Sequence, residues 1–229
     1  MSNLFEIVKK YPTTKNKMGY IDIYDSFFNK LKDQQIDILE IGVEDGLSLK
    51  LWREYFTKAN ICGIDILKKD FKINDVDILC GDQSDHTFLN TVVKKYNKFD
   101  IIIDDGSHFS KHIIASFKFL FKYLSNNGLY IIEDLQTSYF PRYGGSRLNL
   151  SKKNTSMNFI KKMTDAVNYE HHDRPFYKKT PYDGMIKSVN FYQNIVFIRK
   201  GESRKLLYSE ATKSFGEYLK KIISYIYKN

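Results

Sequence analysis

The sequence predicts an α/β fold: a doubly wound, mostly parallel sheet with a C-terminal antiparallel hairpin. Three observations carry this. Strand-sized apolar runs alternate with helical segments between residues 36 and 132, without an internal repeat. That is the pattern of parallel strands joined by right-handed crossovers. The runs end in acids, at Glu40, Asp65, Asp82, Asp104-Asp105 and Glu133-Asp134, where an open α/β sheet meets its ligands. A late apolar stretch alternates around Gln193-Asn194, as a hairpin does.

Residues 36–41 read as the first strand, closed by Gly42, and 47–56 as a helix with Leu47, Leu51 and Tyr55 on one face. Strands follow at 60–66 and 76–80, and a helix at 87–96 with Phe88, Val92 and Tyr96 spaced at four. The strand at 99–104 is apolar enough for burial on both faces. A helix at 110–124 is stopped by Asn126-Asn127-Gly128 before a fifth strand at 129–133. Beyond Asp134, residues 135–150 hold Pro141, Gly144 and Gly145 and read as a loop. A helix at 156–168, an irregular stretch at 171–183 around Pro175 and Pro181, and the hairpin at 188–199 follow. Residues 209–227 form an amphipathic helix whose stripe is Phe215, Leu219, Ile222 and Ile226. Packing on its own sheet is the commoner fate of such a stripe, and pairing into a homodimer is the other.

No linker interrupts the chain. The expectation is one domain over 1–229, with an N-terminal helical extension (1–35), an insertion capping the site (135–187) and a closing helix (209–228). At 229 residues and 42% apolar content the chain can bury one sizeable core. No apolar run reaches the length of a membrane span, and Glu6 interrupts what would be a signal peptide. Two cysteines make neither a disulfide scaffold nor a zinc site. Cys62 and Cys80 are expected to be buried and inert, and the protein cytoplasmic. The net charge is 36 − 27 = +9, but the lysines are scattered in twos. Without a basic run or an RNA-binding signature, a solvated basic face is the reading, with no nucleic acid expected.

Like charges repel, so a purely structural sheet has no reason to stack acids on one edge. Helix N-capping accounts for Asp45 or Asp85 but not for the pairs Asp104-Asp105 and Glu133-Asp134. Clustered acids of this kind mark a functional edge. The first strand runs into Glu40-Ile41-Gly42-Val43-Glu44-Asp45-Gly46. Gly42 and Gly46 let a ligand approach the backbone closely. Glu44 and Asp45 disfavour a pyrophosphate at that helix entrance and suit a ligand with cationic groups, such as an amine and a sulfonium. Asp65 is placed to accept hydrogen bonds from ribose hydroxyls, and Gly81-Asp82-Gln83 adds to the same edge.

These strings, Leu39-Glu40-Ile41-Gly42, Gly63-Ile64-Asp65 and Gly81-Asp82-Gln83, resemble the class I (Rossmann-like) S-adenosylmethionine-dependent methyltransferases. More specifically, Phe99-Asp100-Ile101-Ile102-Ile103-Asp104-Asp105-Gly106-Ser107-His108 and Ile132-Glu133-Asp134-Leu135-Gln136-Thr137-Ser138-Tyr139 resemble the metal-dependent macrolide-sugar O-methyltransferases of the mycinamicin and tylosin type. The likeness continues through Tyr143-Gly144-Gly145 and residues 191–197. It implies S-adenosylmethionine held by Glu40, Gly42, Gly46, Asp65, Asp82, Gln83 and Asp104. It implies Mg2+ (or Mn2+) held by Asp105, Glu133 and Asp134, and His108 with Asp105 as the catalytic pair. Three carboxylates make a hard-oxygen site suited to magnesium, and a histidine can take a hydroxyl proton near neutral pH. Many members carry Thr-Asp-Lys followed by a His and two tyrosines. Here Thr13-Thr14-Lys15 precedes Tyr20 and Tyr24: the tyrosines match, and the Asp and His do not.

The implied function is O-methylation of a sugar hydroxyl, with Tyr139, Arg142, Tyr143 and Arg147 of the insertion in reach of the substrate. Aromatic faces pack on sugar rings and arginines recognise phosphates, which points to a nucleotide-linked sugar, a polysaccharide precursor or a glycosylated small molecule. A non-haem iron hydroxylase is the alternative from another class, although it asks for two histidines and a carboxylate on one ion. An RNA-directed methyltransferase-like domain is a third, supported by the +9 charge alone. His112 reads as packing or orienting a neighbour, His86 as a surface residue, and His171-His172 as loop residues.

Overall fold

The computed structural model describes residues 3–172, 178–202 and 215–227. Seven strands form one sheet: β1 (Asp37–Ile41), β2 (Asn60–Asp65), β3 (Val76–Cys80), β4 (Phe99–Asp104), β5 (Leu124–Ile132), β6 (Ile186–Tyr192) and β7 (Ile195–Lys200). Their order is β3-β2-β1-β4-β5-β7-β6. The first five are mutually parallel, and β7 runs antiparallel to both β5 and β6. This is the doubly wound class I methyltransferase fold, and its chain reversal lies between β1 and β4, where such sheets open a crevice.

One face of the sheet is covered by α1 (Leu4–Lys10), α3 (Ile21–Phe28) and α4 (Leu47–Tyr55), with the short α2 (Thr14–Lys17) between α1 and α3. The core here is aromatic: Tyr24, Phe28, Trp52, Phe56 and Phe197 are all fully buried. Tyr24 meets Trp52 at 5.0 Å and Phe197 at 5.3 Å between ring centroids. The other face carries α5 (His86–Tyr96), α6 (Ser110–Leu120), α7 (Ser156–Lys161) and α8 (Met163–Val167) over Leu39, Ile41, Ile102, Tyr130 and Ile132. α9 (Phe215–Ile226) closes the described chain, with Leu219, Ile223 and Ile226 exposed. Residues 209–214 of the expected closing helix, and the stretch around Pro175, lie outside the described residues. Among the described residues no helix is long and apolar enough to cross a membrane.

Four local expectations differ. The helix expected over 110–124 ends at Leu120, followed by a 3-10 turn at Phe121–Tyr123. There the Lys200 ammonium donates to the carbonyls of Phe121, Lys122 and Leu124 and caps the turn. The fifth strand accordingly starts earlier, at Leu124, and the register shift between Phe99 and Ile101 accommodates Ser125–Gly128 as a bulge. The helix expected over 156–168 is two, broken at Lys162. Cys80 is exposed rather than buried, because β3 is an edge strand and Cys80 its last residue. Cys62, one strand inward, is buried as expected.

Trp52 fills the space between α3, α4 and the sheet. Its replacement by alanine is expected to lower stability by about 3–5 kcal/mol through the lost ring and the cavity left behind. Urea unfolding at unchanged slope checks this, and a loss below about 1 kcal/mol would contradict it.

Candidate functional site

Strand register assembles the site. Ile41, Asp104 and Ile132 are ladder partners across β1, β4 and β5. Successive residues of a strand face opposite sides. Asp104 therefore shares the α6 face with Ile41 and Ile132, while Glu40, Asp105 and Glu133 share the α4 face. The pair Asp104-Asp105 is thereby divided between the two sides of the sheet.

On the α6 side, Asp104 is 1% exposed and accepts from Gln83 Nε2 (3.0 Å) and Ser116 Oγ (2.8 Å). Burial pushes its carboxyl above the ordinary range against those two hydrogen bonds. Gln83 Oε1 in turn accepts from the Ser107 amide at 2.7 Å. Gln83 and Asp104 thus fix the loop that carries His108. Asp82 binds the amide and hydroxyl of Ser84.

On the α4 side a residue absent from the sequence-derived set lies at the centre. Lys15 of α2 is 1% exposed. Its ammonium stands 2.6 Å from Glu133 Oε1, 2.8 Å from Asp105 Oδ2 and 3.2 Å from Glu40 Oε1. Burial pulls the Lys15 pKa down, but the charges of Asp105, Glu133 and Glu40 outweigh it and hold the group protonated. Glu40 also accepts from Ser48 Oγ and Trp52 Nε1, and Glu133 accepts from the Tyr24 hydroxyl. Burial, then the Asp105 charge, raises the Glu133 carboxyl to about 8. The only sequence signal for Lys15 was its match to the Thr-x-Lys run, together with the tyrosines that follow.

Asp105, His108 and Asp134 come together in front of this cluster, with one potential ligand atom from each lying within 4.8 Å of the others. His108 Nε2 is 3.8 Å from Asp134 Oδ2, and the Tyr20 hydroxyl donates to Asp134 Oδ1 at 2.9 Å. Glu133 lies directly behind, with Oε1 engaged by Lys15 and Tyr24. The donor set suits a hard divalent cation: carboxylates dominate, and Glu40, Asp105 and Glu133 against Lys15 leave an excess of negative charge. Among the described residues this cluster holds one histidine, one short of a two-histidine iron site.

The glycine turn between β1 and α4 faces the same crevice. Gly42 has φ +93°, and a Cβ there would lie 2.2 Å from the Asp105 carbonyl oxygen. Asp65 Oδ2 accepts from the amides of Val43 and Glu44 and pairs with Lys69 at 3.0 Å. Burial pulls the Asp65 carboxyl up, but the amides of Leu67, Val43 and Glu44 and the Lys69 ammonium win and hold it below the ordinary value. Asp85 accepts from the Thr87 amide as the N-cap of α5, the role the sequence suggested, while Asp45 stands one residue before Gly46, the N-cap of α4, and accepts from the Leu47 amide.

Past β5, Tyr143 of the insertion packs edge-on to His108 at 6.3 Å and to Phe109 at 5.4 Å. Arg142 and Arg147 lie over the rings of Tyr143 and Phe140, and Tyr139 is half-buried in the preceding turn. Ser138 ties this segment down through Ser156 Oγ (2.6 Å) and the Met157 amide. Gln136 Nε2 donates to Asp134, while its Oε1 is buried and has no partner among the described residues. His112 Nδ1 meets Ser107 Oγ at 2.9 Å, orienting the loop as expected. His86 is exposed and lies against Phe119, and His172 Nε2 lies near the Asp165 carbonyl.

Gly42→Ala is expected to destabilise the chain by on the order of 2 kcal/mol, since clash with Asp105 adds to left-handed strain. Gly19 has φ +72° with nothing within 4 Å of a Cβ, so Gly19→Ala carries the strain alone, about 1 kcal/mol. Equal losses in urea unfolding would show that the Asp105 backbone simply moves aside.

No family model matches the chain. Over 215 residues it is 34% identical to mycinamicin VI 2''-O-methyltransferase of Micromonospora griseorubida, covering 88% of this chain and 53% of that protein. Over 193 residues it is 34% identical to the 8-demethyl-8-(2-methoxy-alpha-L-rhamnosyl)-tetracenomycin-C 3'-O-methyltransferase of Streptomyces olivaceus, covering 80% of this chain and 50% of that one. The fold is similar to MycE methyltransferase solved with Mg, SAH and mycinamycin VI, at TM-score 0.86 and 30% identity over 96% of this chain and 59% of that chain. The chain spans about half the length of the curated relatives it matches.

Proposed function

Because the chain belongs to the homologous family that includes the macrolide-sugar O-methyltransferases, we propose that it methylates a sugar hydroxyl with S-adenosylmethionine and a divalent cation. The observation that carries this reading is the convergence of Asp105, His108 and Asp134 beside the Gly42 turn. When bound, S-adenosylmethionine would supply a methyl group activated by its sulfonium. Gly42 and Gly46 give the cofactor access to the backbone. Asp65 accepts from the ribose hydroxyls, and Glu40, buried and held by Lys15, Ser48 and Trp52, backs the wall at the cationic methionine end. Asp82, with Gln83 and Asp104, shapes the remaining wall. Asp105 and Asp134 hold the ion, with Glu133 offering the oxygen not engaged by Lys15. When bound, magnesium lowers the pKa of the acceptor hydroxyl and fixes its oxygen.

His108 then receives the proton at Nε2, and Tyr143 beside it gives the sugar ring a flat apolar wall. Tyr139, Arg142 and Arg147 sit in the segment that lines the substrate entrance, where arginines suit a phosphate-bearing or nucleotide-linked sugar. A glycosylated small molecule is the other acceptor class, as in the MycE complex with mycinamycin VI. The free thiols of Cys62 and Cys80 suit a reducing cytoplasm.

Loss of the ion and loss of the base should fail differently. Asp105→Ala is expected to abolish turnover, with partial recovery in excess magnesium. His108→Ala is expected to keep cofactor binding while the rate falls on the order of 10²–10⁴ and its residue rises with pH. EDTA should silence the unmodified chain and magnesium revive it; full activity in EDTA would sink the ion's role. For the exposed residues of α9 we propose a homodimer contact. Sedimentation should then show a smaller mass for a Leu219→Glu, Ile223→Glu variant, and an unchanged mass would refute it.

A further inference from the structure

The three carboxylate oxygens around Lys15 come from three different strand ends: Glu40 within the last residues of β1, Asp105 just after β4 and Glu133 just after β5. An ammonium carries three donor protons, and at 2.6–3.2 Å each oxygen is within reach of one. Converging carboxylates are what a hard cation asks for, and here a tethered one occupies them. The ammonium also joins two parts of the crevice. Glu40 is anchored to α4 through Ser48 and Trp52, and Glu133 to α3 through Tyr24. Only Asp105 belongs both to this cluster and to the group with His108 and Asp134.

We propose that Lys15 is a resident cation of the acid cluster, a positioning residue that holds Glu40, Asp105 and Glu133 in one arrangement before any divalent ion arrives and that weakens the ion's binding by engaging an oxygen of each. The second half rests on the ion reading given above, and the first half does not. Without the ammonium, the buried carboxylates of Glu40 and Glu133 and the half-buried one of Asp105 would repel one another and either spread apart or take up protons. With it, Asp105 stays aimed at His108 and Asp134, but Asp105 Oδ2 and Glu133 Oε1 are engaged.

Lys15→Met keeps the length of the side chain and removes its charge. Its Mn2+ affinity, read from the free-ion paramagnetic resonance signal, is expected to rise at least tenfold as the two oxygens are released. In EDTA the variant should unfold at lower urea than the unmodified chain, and saturating Mn2+ should restore most of the difference. A second variant, Lys15→Met with Glu133→Gln, removes one anion along with the cation. In EDTA it should unfold at higher urea than Lys15→Met alone, and it decides the question even if the single variant does not fold without metal. Unchanged or weaker Mn2+ binding by Lys15→Met would overturn the limit on ion affinity. A double variant no more stable than the single one would overturn the resident cation and leave Lys15 as mere packing. If the unmodified chain binds no Mn2+, the ion reading of the proposed function fails, and the double variant still decides whether Lys15 holds the acids.

Discussion

A charged lysine inside a protein persists only where carboxylates surround it, and Lys15 has Glu40, Asp105 and Glu133. Breaking one partner of a buried ion pair typically costs about 3–5 kcal/mol, because the remaining charge is stranded. The strand ends, the N-terminal helices and the crevice are therefore interdependent. Lys15 is delivered by α2, which is only four residues long and has no stability of its own. It is held by the chain on either side: Leu4, Ile7 and Val8 of α1, and Tyr20, Tyr24 and Phe28 around α3, all buried against the sheet. The aromatic packing of that face is what brings the ammonium to the acids, and Tyr24 belongs to both, touching Trp52 and donating to Glu133.

The sheet part of the fold was legible because each βα unit reports itself locally. Apolar runs of five or six residues, helices spaced at four and the Gln193-Asn194 turn are short-range signals, and β1 to β7 follow them closely. The boundaries that shifted were set by distant groups. Lys200 ends the 3-10 turn after α6 from 76 to 79 positions away, and no reading of residues 110–124 contains that information. The exposure of Cys80 likewise depends on strand order, since β3 lies at an edge only because β2 separates it from β1.

The site was legible as an edge but not as an arrangement. A cluster of acids at strand ends is visible in one dimension; their division between two faces follows from alternation and register together. Asp104 and Asp105 are neighbours in sequence with opposite work. Asp104 is spent on Gln83 and Ser116 within the α6 face, and Asp105 looks toward Lys15, His108 and Asp134. Lys15 was hidden for a different reason. In a chain with 36 basic residues, one lysine in a short helix looks like the solvated rest, and only the fold reveals that it is buried.

Backbone strain adds a last constraint to the crevice. His108 and Asp134 have φ of +58° and +50°, a left-handed conformation that costs a non-glycine residue about 1–2 kcal/mol. Both are side chains of the same cluster, and their strain is held by shared hydrogen bonds. The single Thr137 hydroxyl proton is shared between the carbonyls of Asp134 (2.8 Å) and His108 (3.2 Å), while Gln83 holds the Ser107 amide just before His108. Glycine at either position would relieve the backbone and remove a side chain of the cluster; the chain instead keeps the side chain and braces it. The loops after β4 and β5 are thus locked to each other through Thr137, and Asp105 is locked to α2 through Lys15. A crevice braced on both sides presents its carboxylates and imidazole in one geometry, which is the preorganisation that the proposed proton transfer requires.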